Sequence, residues 1–266
     1  MNVFIREVSM HMHTTQIVFL RNFICIFLLL PFMLHAQIGF KTAHLSAHFW
    51  RATIGIIGME TWFYCISILP LNQATALSYT APLFTTLFAI FYLKERGSTA
   101  RWLALIIGFI GAMIILHPDL AHFDKRALVV LFATSMWAVA GMMVKTLTRT
   151  EPALRIVFIM SVFMSLWALP LALYHWQHPN LHVWELIILI AMASVGAQWC
   201  LTKAYSLADV SSLTPYDFGR LIFTSIFAYI AFGETSDYTT WIGAGIIVAS
   251  AAFIARYEYR HIARNL

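Results

Sequence analysis

The sequence predicts an all-α polytopic membrane protein made of two inverted repeats, with nine helices present of an inferred five-plus-five. Three observations carry that expectation: the composition, the spacing of apolar segments and an internal repeat. Of the 266 residues, 61% are hydrophobic and only 11% are charged. A soluble domain carries about 25% charged residues because its surface must face water. A chain of this length could not hide so much apolar surface in one core, so its solvent must be lipid.

Taken in order, the stretches long enough to span as helices of roughly 20 residues are 16–35, 49–69, 73–93, 100–117, 127–147, 154–175, 183–203, 212–232 and 238–257. The fourth is short but is bounded by Arg101 and by His117-Pro118. The longest connection, 36–48, leaves no room for a soluble domain. The opening segment carries Glu7 and two histidines, His11 and His13, and has no small-residue cleavage site, so it does not read as a signal peptide. One set of loops and flanks holds Lys41, Arg51, Lys94, Arg96, Arg101, Lys145, Arg149, Arg155, Lys203, Arg256, Arg260 and Arg264. The other holds Arg6, Lys125 and Arg126. The richer side is expected in the cytoplasm, which places the C-terminus there. The formal charge of +5 is spread over short loops, which argues against nucleic acid. Cys25, Cys65 and Cys200 fall in apolar segments and read as small core residues.

A shift of 139 positions lays one half of the chain on the other, carrying Pro31 onto Pro170, Glu95 onto Glu234 and Trp102 onto Trp241. It also carries Ile5-Arg6 onto Val144-Lys145 and Ile17-Val18-Phe19 onto Ile156-Val157-Phe158. The first repeat is read as 1–118 and the second as 127–257. Four spans follow Thr15 and four follow Ala153, and the helix at 127–147 precedes the second set. Its counterpart before the first set is expected to be absent from this chain. With five helices per repeat the halves have opposite orientation, a hallmark of secondary transporters with a central site.

The run LPLNQATALSYTAPLFTTLFAIFYLKERGSTARWLALIIGFIGAMIILHP (69–118) resembles the end of the first repeat of the drug/metabolite transporter superfamily, EamA type. AYSLADVSSLTPYDFGRLIFTSIFAYIAFGETSDYTTWIGAGIIVASAAFI (204–254) resembles the matching part of the second, and QIVFLRN (16–22) the start of its second helix. The nearest likeness is to S-adenosylmethionine transporters and amino-acid or amine exporters. The resemblance implies ten helices, cytoplasmic termini and alternating access through a cavity between the repeats.

Charged groups inside spans cost roughly 2.5–3.5 kcal/mol each at the membrane centre, so each is a functional candidate. Glu60, in GMETWFY, either attracts a cationic amine, carries a coupling proton, or pairs structurally with an arginine of a neighbouring helix. Asp217 and Arg220 are three apart and can neutralise each other, or one of them faces the cavity beside Tyr216. Arg21 snorkels or binds an anionic substrate group. Glu95 and Glu234 hold equivalent places and suit a structural or gating role. Pro82 and Pro215 interrupt backbone hydrogen bonding and free carbonyls that can line a cavity. Trp62, Tyr64, Tyr79, Trp137, Trp199 and Tyr216 can stack against a flat or cationic ligand or simply pack. Gln198 is a buried amide in need of a partner. Ala104/Gly108 and Gly245/Ala249 suggest close helix packing. The histidines lack a surrounding ligand cluster, so no metal site and no cofactor are expected.

No GxxxxGK[ST] loop is present, which excludes direct ATP coupling. The reading is a secondary transporter of small metabolites (amino acids, amines or S-adenosylmethionine-like solutes), not an enzyme. A membrane-embedded lipid-modifying enzyme and a truncated, non-transporting remnant are the alternatives. The expected partners are a small-molecule substrate and the lipid bilayer, with a coupling proton and a homodimer left open. The expected location is the bacterial inner (plasma) membrane.

Overall fold

The computed structural model describes residues 1–92, 99–116, 126–207, 219–233 and 237–265. Among these residues the chain is helical, with helices α1 (Asn2–Ser9), α2 (Thr14–His35), α3 (Leu45–Ile68), α4 (Leu71–Ser78), α5 (Ala81–Tyr92) and α6 (Thr99–Leu116). They continue as α7 (Arg126–Leu147), α8 (Ala153–Tyr174), α9 (Leu181–Leu207), α10 (Gly219–Phe232) and α11 (Tyr238–Asn265). By length and composition, four helices or parts of them among the described residues can cross a membrane: α2, Leu128–Leu147 of α7, α8 and α9.

Helix boundaries repeat as the sequence does. Moving α2 by 139 positions gives the printed bounds of α8, and moving the end of α3 gives the end of α9. The start of α6 falls on the start of α11, and α1 falls on the last turns of α7. Pro31 and Pro170 lie at the same place inside α2 and α8. The opening segment, read from the sequence only for what it lacks, forms α1, which buries Ile5 and Val8.

The helices form two units, Met1–Ser67 with Ala140–Leu207 and Ile68–Val139 with Ala208–Leu266. Each unit draws on both repeats. In the first, α2 packs along α8, and α9 packs on both. The hydrogen bonds show that α2 and α8 run antiparallel. At one end the Gln16 amide donates to Gln177 O at 2.8 Å and accepts from Gln177 N at 3.0 Å. At the other, Arg155 Nε donates to Gly39 O at 2.8 Å. Residue 16 is the repeat counterpart of 155, and 177 lies one step from the counterpart of 39. The two contacts are therefore nearly one contact seen twice, as an isologous two-fold requires. Val144, Leu147 and Ile156 form a buried cluster with Ala47 and Tyr205 against it. Their repeat counterparts Ile5, Val8, Ile17, Leu186 and Ile66 are buried as well.

In the second unit α6 packs along α11. The Ser250 hydroxyl donates to Ala104 O, and a Cβ placed on Gly243 would lie 2.6 Å from Gly111 O. Residue 104 corresponds to 243 and 111 to 250, so this crossing too is one contact repeated about a two-fold. The small-residue reading holds for Ala104 and Gly108, where an added Cβ on Gly108 would meet Leu83 at 2.5 Å and Ser250 Oγ at 3.0 Å. For α11 it must be corrected. Gly245 has nothing within 4 Å and Ala249 is exposed, while Gly243 makes the approach. Positions 243 and 245 are about 200° apart around a helix, so one of them faces away.

The expected span 73–93 is two helices, α4 and α5. Tyr79 N bonds Ala76 O and Thr80 N bonds Leu77 O, each reaching back only three residues, before Phe84 N bonds Thr80 O to start α5. Pro82 is thus the second residue of a new helix, where its missing N–H costs nothing. It opens a helix rather than kinking a continuous one. Gly233, with φ +64°, ends α10 in the left-handed conformation that glycine adopts most easily.

Candidate functional site

Three charged side chains stand inside the first unit on α2 and α3. Arg21 is 3% exposed and Arg51 is 7% exposed, while Glu60 is half-buried. Arg21 Nη2 donates to Asn22 Oδ1 at 2.9 Å, and its guanidinium lies 5.8 Å from the Phe63 ring centroid. Asn22 is fully buried. Its amide donates to Val18 O at 2.8 Å and reaches Met59 Sδ at 3.7 Å, which ties α2 to α3 at this level. Cys25, one turn on, points its thiol at Ala191 O of α9.

Glu60 and Arg21 attract each other electrostatically, yet neither completes its bonding. Glu60 Oε1 and Arg21 Nε are both buried without a hydrogen-bond partner. Arg51 adds a second cation. Its Nε and Nη1 are also buried without hydrogen-bond partners, and its charge neighbours are Arg21, which repels it, and Tyr205 of α9. The Arg51 guanidinium runs along α3 toward the next turn, with Nη1 3.7 Å from where a Cβ on Gly55 would be. That Cβ would also meet Met164 Cε at 2.4 Å, so Gly55 makes room for both side chains. Lys145 donates from Nζ to Tyr205 O at 2.8 Å.

The sequence counted Arg51 with the loops and flanks, at the edge of the span 49–69, and its depth is a correction. The helix begins at Leu45 rather than Phe49, so Arg51 lies about 9 Å inside it. The signal was available in the weakly apolar Leu45–His48, which continues the helical run, but a charge near a span edge is ordinarily read as snorkelling. His48, to which the sequence assigned no role, is 1% exposed and sits 2.9 Å from Glu151 Oε2. Thr42 donates its hydroxyl to Glu151 Oε1, so this carboxylate links the two loops and α3. Burial pushes the Glu151 carboxyl up. The hydrogen bonds from Thr42 and His48, with the charges of His48 and Arg155, outweigh that and hold it below the ordinary carboxylate range.

Of the other expected site residues, Trp62 is buried on α3 at 2% exposure, while Tyr64 is half exposed and points away from the interior. Gln198 is only half-buried and its neighbours Trp199 and Cys200 are exposed, which corrects the buried-amide and core-cysteine readings there. Tyr79, buried at the α4–α5 break, and the half-buried Trp137 belong to the second unit. Arg220 lies in α10, and its side chain is outside the description. Tyr216, Asp217, Pro215, Glu95 and Glu234 lie outside the described residues.

The charged groups break the repeat that the helices obey. The counterparts of Arg21, Arg51 and Glu60 are Met160, Ile190 and Trp199, while Asn22 and its counterpart Ser161 both donate to the carbonyl four residues back. Ile190 is fully buried with an apolar side chain. The frame therefore accepts a hydrocarbon at the place of Arg51, and charge there is not a demand of packing.

The profile of the EamA-like transporter family matches residues 1–117 and 125–256. A riboflavin transporter of Vibrio cholerae is 33% identical over 95% of this chain and 86% of its own length. An S-adenosylmethionine uptake transporter of Rickettsia bellii is 30% identical over 100% and 91%. A pseudopaline exporter of Pseudomonas aeruginosa is 26% identical over 96% and 91%. A solved crystal structure superimposes with a TM-score of 0.66 at 14% identity, covering 97% of this chain and 95% of that one, which speaks to the fold alone.

Proposed function

The chain belongs to the EamA-like transporter family, and we propose that it is a secondary transporter moving a small metabolite across a bacterial inner membrane by alternating access between its inverted repeats. The observation that carries this reading is Glu60 facing Arg21 inside the first unit, attracted to it but with buried polar atoms unpaired on both. A purely structural ion pair would close that gap, because an unsatisfied buried charge costs more than a made bond returns. Groups held open in this way suit a solute that supplies the missing partners on arrival.

The substrate range is amino acids, amines and S-adenosylmethionine-like solutes. The name of the Rickettsia relative supports it, and the Vibrio relative adds riboflavin to the solutes worth testing. Glu60 is the group for a cationic amine or a coupling proton, and the C-terminus faces the cytoplasm. The family and these relatives are transporters rather than enzymes, which sets the lipid-modifying alternative aside.

Counterflow in proteoliposomes with labelled amino acids, polyamines, S-adenosylmethionine and riboflavin tests the reading. One class of solute should exchange, and Glu60→Gln should reduce its exchange by about 10- to 100-fold, the worth of a charged hydrogen bond. Folded protein that moves none of these solutes refutes the proposal. Undiminished exchange in Glu60→Gln removes Glu60 from the site.

A further inference from the structure

We propose that Arg51, together with Arg21, is the receptor for a carboxylate on the transported solute, a role that rests on the transport reading above. Three observations and one chemical constraint lead there. Arg51 is 7% exposed within α3, and its Nε and Nη1 are buried without hydrogen-bond partners. A guanidinium cannot shed its charge to relieve this, since it stays protonated in proteins. Among the described residues its charge neighbours are Arg21 and Tyr205, neither of them a carboxylate.

The repeat supplies the argument against a structural role. Ile190 holds the counterpart position, is fully buried, and needs no polar partner. The helix frame is thus satisfied by a branched hydrocarbon where Arg51 stands. An arginine at this place costs several kcal/mol of desolvation and returns no hydrogen bond through those two nitrogens in the absence of solute. Gly55 and Met164 form the space it occupies, and a side chain on Gly55 would close it.

Charge decides the class of ligand. Two guanidinium groups against the single carboxylate of Glu60 leave an excess of one positive charge in this cluster. A monoanion cancels it, whereas a doubly charged phosphate would leave the site negative in a medium of low dielectric. The planar fork of arginine matches a carboxylate. The solute therefore carries one carboxylate for the arginines, and where it also carries an ammonium group, Glu60 is the group to meet it. Solutes without a carboxylate are excluded from the best substrates.

Competition on the full chain in proteoliposomes tests this without any variant. The panel holds the standard amino acids and S-adenosylmethionine, each beside its carboxamide or decarboxylated amine, with riboflavin as the uncharged probe. Loss of the carboxylate should weaken competition by about 10- to 100-fold. Arg51→Ile, which copies the repeat counterpart, should fold as the wild type does by size exclusion and treat acid and amide alike. Arg51→Lys should retain part of the discrimination.

Equal competition by acid and amide on wild-type protein overturns the inference, as does discrimination that survives in Arg51→Ile. Exchange of riboflavin or amines alone also overturns it but leaves secondary transport standing. Failure of every solute to exchange or bind overturns both.

Discussion

Gly243 and Gly245 lie two residues apart on α11 and should respond in opposite senses to the same change. A Cβ on Gly243 would sit 2.5 Å from Ile115 Cγ1 and 2.6 Å from the backbone oxygen of Gly111. A carbonyl of the facing helix cannot rotate away, so α6 and α11 must separate by roughly 0.8 Å to restore ordinary contact. Overpacking of this kind costs about 1–3 kcal/mol, and alanine's better helix propensity returns about 1 kcal/mol. Gly243→Ala should therefore be neutral to destabilising by about 2 kcal/mol. Gly245 has nothing within 4 Å, so Gly245→Ala keeps only the propensity gain. The two variants should differ by about 1–3 kcal/mol. At about 2–4 °C per kcal/mol, that is a gap of several degrees in Tm. Thermal unfolding in detergent, followed by fluorescence-detected size exclusion, reads the order directly. A Tm for Gly243→Ala equal to or above that of Gly245→Ala would refute the crossing described for α6 and α11. Gly111→Ala, whose Cβ would lie 2.9 Å from Gly243 O, should follow Gly243→Ala because the two glycines meet at one point.

Glu151→Gln should lower Tm at neutral pH by weakening the bonds from Thr42 and His48. The carboxyl is held below its ordinary value of 4.5 in the folded protein, so its contribution is complete above that value and fades as pH falls through the lower folded one. The Tm difference between wild type and variant should hold above about pH 4.5 and shrink as the pH falls below it; a constant difference throughout would show that the charge contributes nothing. Gln16→Ala should cost about 1–3 kcal/mol, because it strips both bonds from the Gln177 backbone at the α2–α8 end. Limited proteolysis near residues 175–180 should then accelerate, and an unchanged rate together with an unchanged Tm would count against the clasp.

Much of the frame could be read from the sequence because a membrane leaves few options. Every buried backbone group must be paired within its segment, so apolar length translates into helix, and the 139-residue repeat carries α2 onto α8. Rotation about a helix axis was less legible. Gly245 and Tyr64 were assigned to interiors they do not face, since a span that is apolar all round gives no amphipathic stripe to orient it. Arg51 was misplaced for a different reason. A charge near the edge of an apolar run has an inexpensive solution in water, and only the helix start at Leu45 removes that solution. Pro82 shows the same limit, because helix opening and helix kinking share one sequence signal.

The repeat then does something that neither composition nor packing does alone. It supplies, within one molecule, a comparison position for every residue of the site. Where counterparts agree in character, as Val144 with Ile5 or Leu147 with Val8, the residue serves the frame. Asn22 and Ser161 agree too, each donating to the carbonyl four residues back, whereas at Arg21, Arg51 and Glu60 the counterparts are the uncharged Met160, Ile190 and Trp199. On the proposed alternating access a two-fold frame needs symmetry in its helices, whereas the proposed solute, with distinct ends, needs a site without it. Arg21, Arg51 and Glu60, gathered on α2 and α3, fit that proposal, and their counterparts on α8 and α9 are uncharged.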